Sequence, residues 1–293
     1  MVQCIALDMD GTLVNSNLII HEENAKAIEY ARNRGIEVVV ATGRSYPEAK
    51  DVLYNAGIHC PIICVNGSEI RDSEGRIIEK VGLERDTFQK IRTRLEGSEL
   101  YYEVYTDQGT FTNDYEKALA VMIDVYLSAG DTKDYEQLLQ GAKARFEHGL
   151  ITHVEHYDEL LQKEDLTIYK VLAFSFDQEK LKRAKEEVMF INGLAVSASA
   201  KENIEITSKH AQKGIALEKF TAARGLSLKE TMAVGDNYND VSMLEAVGHS
   251  VAMGNAPDDI KELCDMVTTK NDEHGVAQAI HHVLKNQKEK RGI

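Results

Sequence analysis

No apolar run in this chain approaches the roughly 18 residues that a membrane-spanning helix needs, which excludes a helical membrane anchor. None of the four cysteines stands in a CxxC pair, and Cys4, Cys60, Cys64 and Cys264 read as thiols of a reducing compartment, two of them inside apolar runs. There is no GxxxxGK[ST] loop, and so no P-loop nucleotide site. HExxH is missing too: His21-Glu22 has no second histidine at the right place, and His153 and His156 fall on opposite faces of a strand-like segment. Positive charge is scarce. With 34 basic against 48 acidic residues the formal net charge is −14, which argues against a broad electrostatic grip on nucleic acid or anionic membrane. The one basic cluster, Lys285 to Arg291, reads as a solvated helix end. An acidic protein that handles phosphate needs a local positive device instead, and a metal ion with a few fixed donors would serve. Met1 opens directly into a strand rather than a basic signal region, so a cytoplasmic protein is expected.

What is present is a chain of 293 residues, enough for one large or two modest domains with ample core. Its first stretch, Val2 to Thr12, is an apolar run of strand length that ends in Asp8 and Asp10, then Gly11 and Thr12. Buried parallel strands are apolar along their length, so acids appear where the strand leaves the sheet, at the edge where open α/β sheets bind ligands. Neighbouring carboxylates repel, which suggests a cation or a shared proton; a solvated strand-to-turn junction accounts for the segment equally well.

Strands then alternate with helices. Glu22 to Arg34 is a helix stopped by Gly35, Ile36 to Ala41 a strand ending at Thr42-Gly43-Arg44, Tyr46 to Asn55 a helix, and Pro61 to Val65 a strand closed by Asn66-Gly67. A hairpin over Glu69 to Lys80 follows. The expected fold class is α/β, with a right-handed, doubly wound parallel sheet. From about Gly82 the texture becomes α+β: helices over Asp86–Leu95, Tyr115–Leu127, Tyr135–Phe146 and Glu179–Phe190, and strands near Leu100–Tyr105, Ile151–Val154, Tyr169–Phe176, Val196–Ser199 and Ile204–Thr207. The Tyr101, Tyr102 and Tyr105 cluster reads as core of this insert. The βα rhythm resumes at Lys213, with a strand over Thr231–Gly235 that again ends on an acid, Asp236. A discontinuous core (1–82 and 209–293) interrupted by an inserted domain (83–208) is expected, the insert able to act as a lid.

Three apolar strands therefore end on Asp8, Thr42 and Asp236, and parallel strands present their carboxyl ends on one edge, so these groups should converge. Lys213, at a helix start, supplies a cation. A carboxylate nucleophile, a hydroxyl, an ammonium and a metal-binding acid suit phosphoryl transfer, where catalysis is mostly positioning and charge neutralisation. Blander roles stand beside these: Thr42 as a cap, Lys213 as an ordinary helix-start lysine, Asn66 as a turn residue.

DxDGT, a strand-ending Thr, Lys213-Gly214 and Gly235-Asp236-Asn237-Tyr238-Asn239-Asp240, in this order, resemble the haloacid dehalogenase superfamily. The insert between the Thr and Lys motifs resembles the Cof-type phosphatases of subfamily IIB. The resemblance implies a Rossmann-like core with an α+β cap, and hydrolysis of a small phosphomonoester through an aspartyl-phosphate. It makes Asp8 the nucleophile and Asp10 the general acid and base. It implies Mg²⁺ held by the Asp8 and Asp236 carboxylates and the Asp10 carbonyl. Phosphate oxygens would be met by Thr42, Lys213, Asn239 and the backbone N–H groups of Met9 and Gly43. Asp240 would orient Lys213 or a metal-bound water, while Arg44 and Asn66 would have supporting roles. A phosphomutase of the same fold is the nearer alternative. A signalling receiver is the remoter one, since receivers place the phospho-accepting Asp on a middle strand.

Overall fold

The computed structural model describes residues 1–128, 134–198 and 201–290. The chain divides into two compact units, Met1–Lys80 with His210–Ile293, and Val81–Lys209.

The first unit opens with β1 (Cys4–Leu7), α1 (Glu22–Arg32), β2 (Glu37–Ala41), α2 (Tyr46–Asn55), β3 (Ile62–Cys64), β4 (Glu69–Arg71) and β5 (Ile77–Lys80). The second contains α3 (Arg85–Gly97), β6 (Tyr101–Thr106), β7 (Gly109–Thr112), α4 (Tyr115–Ser128), α5 (Tyr135–Glu147), β8 (Ile151–His153), α6 (Asp158–Gln162), β9 (Ile168–Phe174), α7 (Gln178–Met189), β10 (Leu194–Ser197) and β11 (Asn203–Ser208). The first unit is then completed by α8 (Lys213–Ala222), β12 (Thr231–Gly235), α9 (Val241–Ala246), β13 (His249–Ala252), α10 (Asp258–Leu263), β14 (Met266–Val267) and α11 (Gly275–Lys290).

Among the described residues the first unit builds one eight-stranded sheet in the order β14-β13-β12-β1-β2-β3-β4-β5. Strands β14 to β3 run parallel, and β4 and β5 add an antiparallel edge. The inner strands are apolar on both faces because helices cover both. Cys4, Ala6, Val39, Ala41, Ala233 and Ala252 pack against Ala216, Leu217, Phe220, Leu244 and Ile260 from α8, α9 and α10. Ile5 and Leu7 point the other way, as period-two alternation requires, and are equally buried. Helix α1 lies along α11 and touches β2, burying Ala27, Ile28 and Ala31. Helix α2 is set by a capping box in which Ser45 and Glu48 exchange backbone bonds, with Pro47 in the first turn.

The second unit is a six-stranded sheet ordered β10-β11-β9-β6-β7-β8, antiparallel except where β8 joins β7. One face carries the apolar core, with Phe88, Ile91 and Leu95 of α3 and Leu181, Ala184 and Val188 of α7 against Tyr102, Val104, Val171 and Ile206. Tyr101 packs separately with Ala118, Leu119 and Met122 of α4, and Tyr105 is buried as well, so all three tyrosines belong to the interior. The strand expected at Val196–Ser199 runs instead over Leu194–Ser197. Gly193, at φ +88°, finishes the preceding turn and lets pairing with β11 begin two residues early, and Ser199 lies outside the described residues. The basic cluster sits on the final turns of α11, with Arg291 outside the described residues.

Candidate active site

Register alone aligns the three strand ends. Leu7 pairs with Val40 on one side and Val234 on the other, so one step beyond β1 lies Asp8, flanked by the stretch leading into Thr42 and by Gly235-Asp236. Asp8 stays tied to the sheet through its N–H, which donates to the Val234 carbonyl at 2.9 Å.

Its side chain is buried and meets Lys213, the first residue of α8, which is only 1% exposed. Lys213 Nζ donates to Asp8 Oδ1 and to Asp240 Oδ1, both at 2.6 Å. Asp240 Oδ2 accepts the N–H groups of Asp236 and Asn237 at 2.9 and 3.1 Å. Both oxygens of Asp240 are therefore committed, one to the lysine and one to the loop that carries Asp236. Two glycines make this packing possible. A Cβ on Gly235 would stand 2.7 Å from the Asp240 side chain, and one on Gly214 would stand 2.0 Å from the Ser242 carbonyl oxygen.

Asp236 accepts a hydrogen bond from the Thr12 hydroxyl at 2.7 Å. Gly11, at φ +80°, turns the chain back over Asp236, and a Cβ there would meet Asp236 Oδ2 at 2.3 Å. The Asn255 amide holds the Gly11 carbonyl at 2.8 Å. Neither Thr12 nor Asn255 was among the candidate side chains drawn from the sequence. For Thr12 the signal was there, in its place at the end of DxDGT; Asn255 lies 244 residues from Gly11, too far for spacing alone to join the two.

Asp10 points outward and pairs with Arg44, whose Nε lies 2.9 Å from Asp10 Oδ2. Met9 between the two acids has a fully buried side chain, so only its backbone can face a ligand. Thr42 is buried, and its hydroxyl oxygen accepts the Arg44 N–H at 3.1 Å, a cap that leaves its proton available to donate. Gly43 joins these two residues at the same edge. Asn66 takes a left-handed conformation at φ 56°, beside Val65 at φ 49°, an unfavourable region for a β-branched residue that the tight turn enforces. Its Oδ1 accepts from the Asn239 side chain at 3.2 Å. Gly67 then closes on Gln212, where a Cβ would come within 2.5 Å of the carbonyl oxygen, so the turn that holds Asn66 also seats the start of α8 and with it Lys213.

Asp8, Asp236 and Asp240 place oxygens within 4.8 Å of one another. Three buried carboxylates against one ammonium leave two negative charges in excess. Burial, then Asp240, push Asp8 well above the usual carboxylate range, and Lys213 opposes them. Burial alone would lower Lys213, but Asp240 and Asp8 overcome it and hold the ammonium charged. Burial and Asp240 raise Asp236 to about 6, against the Thr12 hydrogen bond. This excess charge matches a divalent cation; both Asp240 oxygens already accept hydrogen bonds, whereas Asp8 and Asp236 each keep one oxygen outside the bonds described above.

The raised Asp236 has a consequence for stability. An unfolded aspartate titrates near 4, so the fold binds this proton more tightly than the unfolded chain does. The penalty for ionising Asp236 is absent below about pH 4, grows through about pH 6 and is complete above it. In EDTA, Asp236→Asn, which keeps an acceptor for Thr12, should gain urea resistance over the unaltered protein at pH 7.5 and none at pH 4. A difference that stays constant with pH would contradict this.

A family model of haloacid dehalogenase-like hydrolases matches residues 5–280, which spans both units. The chain belongs to this family. It is 38% identical to phosphatase YwpJ of Bacillus subtilis over 97% of this chain and 100% of that protein. It is also 38% identical to 5-amino-6-(5-phospho-D-ribitylamino)uracil phosphatase YwtE of the same organism, over 98% and 99% of the two chains. The solved structure of a haloacid dehalogenase-like hydrolase from B. subtilis superimposes with a TM-score of 0.86 at 37% identity, covering 96% of this chain and 99% of that one. As a haloacid dehalogenase-like hydrolase the chain is an enzyme, and the doubly wound sheet described above is the family's core. Among the described residues no helix is long and apolar enough to cross a membrane.

Proposed function

We propose that this hydrolase is a Mg²⁺-dependent phosphatase of small phosphorylated metabolites that works through an aspartyl-phosphate on Asp8. The carrying observation is the buried arrangement of Asp8, Asp236 and Asp240 around the single ammonium of Lys213. Such a cluster can accept a phosphate dianion only when further positive charge is supplied. Mg²⁺, held by Asp8, Asp236 and the Asp10 carbonyl, would supply that charge and relieve the repulsion between carboxylate and phosphate.

The side chains divide the remaining work. Lys213 fixes one Asp8 oxygen and so aims the carboxylate at phosphorus. Asp8 attacks, the phosphorus–oxygen bond to the leaving group breaks, and Asp10 gives that alkoxide a proton. Asp10 then takes a proton from the water that attacks the acyl phosphate, freeing inorganic phosphate and restoring Asp8. To do so its carboxyl exchanges Arg44 for the leaving group, a rotation that its exposed position permits. The Thr42 hydroxyl, the Lys213 ammonium, the Met9 and Gly43 N–H groups and the Asn239 amide meet the phosphate oxygens. Asp240 and Asn66 position Lys213 and Asn239 respectively. The inserted domain, 83–208, would select the leaving group.

Because YwtE is named for a ribityl-pyrimidine phosphate, that compound heads the panel to be assayed, with flavin mononucleotide, pyridoxal phosphate and sugar phosphates beside it. Phosphate release, ranked by kcat/KM, should require Mg²⁺, stop in EDTA and return on adding Mg²⁺. Release without any acceptor sugar separates this reading from a phosphomutase. A stable acyl phosphate with no turnover on any compound, p-nitrophenyl phosphate included, would overturn it in favour of a receiver.

A further inference from the structure

His21, Glu23 and His274 form a second cluster of metal-ligating side chains, one that shares no residue with the carboxylate site. His21 ends the loop that follows DxDGT and stands as the N-cap residue of α1, yet its side chain makes no capping bond. Glu23 lies in the first turn of the same helix. His274, held at φ 60°, joins the short turn Asn271–Glu273 to α11. Since α1 and α11 pack together, the three side chains meet where the two helices start.

Their atoms stand close enough together to share one ion. One ligand atom from each residue lies within 4.8 Å of the other two, and the imidazoles meet edge to face with centroids 4.5 Å apart. His274 Nδ1 is buried without a hydrogen-bond partner. Its facing oxygen, Glu23 Oε2, is 3.8 Å away, too far for a hydrogen bond. Two ligands of a tetrahedral ion with bonds of about 2.0–2.1 Å stand about 3.4 Å apart, so a small closing movement suffices. His21 is also in the form a metal needs. The Asn15 Oδ1 accepts the N–H groups of Asn17 and Ile19, both at 3.0 Å, which turns its Nδ2 toward His21 Nε2 at 3.1 Å. An amide N–H aimed at that nitrogen makes it the acceptor of the ring.

We propose that His21, Glu23 and His274 bind a divalent cation of the zinc class. Two imidazoles and one carboxylate suit Zn²⁺ with a water in the fourth position, whereas Mg²⁺ prefers an all-oxygen octahedron. The ion would take the place of the Asn15 hydrogen bond at His21. It would fasten the loop that begins at Gly11 to the turn before α11. That contact already exists in part, since Asp272 accepts the Ser16 N–H at 2.9 Å and Asn271 donates to the Val14 carbonyl at 3.0 Å. The role is structural, and the site is independent of the phosphatase reading.

The test is a calorimetric titration of Zn²⁺ into the full, tag-free, EDTA-stripped chain carrying Asp236→Asn, which removes an acid of the other cluster. One equivalent should bind at pH 7.5, undisplaced by millimolar Mg²⁺. His274→Asn keeps a residue that tolerates the left-handed backbone, and Glu23→Gln changes an exposed position; each should weaken binding by at least about tenfold. Saturation should raise the unfolding temperature by about 5 °C. Absence of the equivalent overturns the proposal, as does binding that both substitutions leave unchanged, which would place the ion elsewhere, for instance on the half-buried Cys264 thiol.

Discussion

Asp8→Asn is expected to lower kcat on p-nitrophenyl phosphate by roughly four orders of magnitude or more, the scale on which loss of a covalent nucleophile acts. The fold should survive it. Asparagine has the same shape, keeps a carbonyl oxygen for Lys213 to donate to, and removes a negative charge that burial and Asp240 make unfavourable. Unfolding temperature in EDTA should therefore be unchanged or higher, and that pairing of results is informative. Lost activity with lost stability would describe a broken core. Lost activity with retained or improved stability describes a residue whose charge the fold tolerates for the sake of the reaction. Near-normal turnover by the variant would remove Asp8 as the nucleophile and with it the aspartyl-phosphate.

The convergence of Asp8, Thr42 and Asp236 was legible because parallel strands buried on both faces have apolar sequences, so polar residues at their ends stand out. Sheet register then does the rest: strands that pair in parallel end together. The alternation of strand and helix was legible for the same reason, even though β3 has three residues and β14 two. Other features had no local signal. Asn66-Gly67 reads as an ordinary turn, and nothing in the composition indicates that Val65 is forced into the left-handed region, which its own preferences oppose. Gly67 of the same turn packs against Gln212, a contact far off in sequence. The Arg44–Asp10 pair and the Thr12–Asp236 bond join residues 34 and 224 positions apart, so they follow from the finished fold rather than from spacing. Helix α6, of five residues, is too short to show a repeated apolar face. The histidine cluster escaped for a related reason. His21 and Glu23 are neighbours, but their third member comes from the far end of the chain.

Lys213→Met should be the most damaging single change outside the nucleophile, and pH should reveal why. Methionine fills nearly the same unbranched volume, so packing around α8 is largely kept while the ammonium is lost. Asp8, Asp236 and Asp240 then share a buried site with no cation, and breaking a buried ion pair on one side typically costs about 3–5 kcal/mol. Lys213 is what opposes the upward push of burial on Asp8, so its removal sends Asp8 higher still. A carboxyl whose folded pKa lies above its unfolded value destabilises the fold once ionised, and the penalty is relieved as pH falls through the folded value. In EDTA the variant should therefore unfold in much less urea than the unaltered protein at pH 7.5, and the gap should narrow at pH 5. Turnover should fall by about two to three orders of magnitude, with the acid limb of the pH–rate profile displaced upward. An equal loss of stability at both pH values would reduce Lys213 to a packing residue. An unmoved acid limb would mean that it does not govern the charge state of the nucleophile.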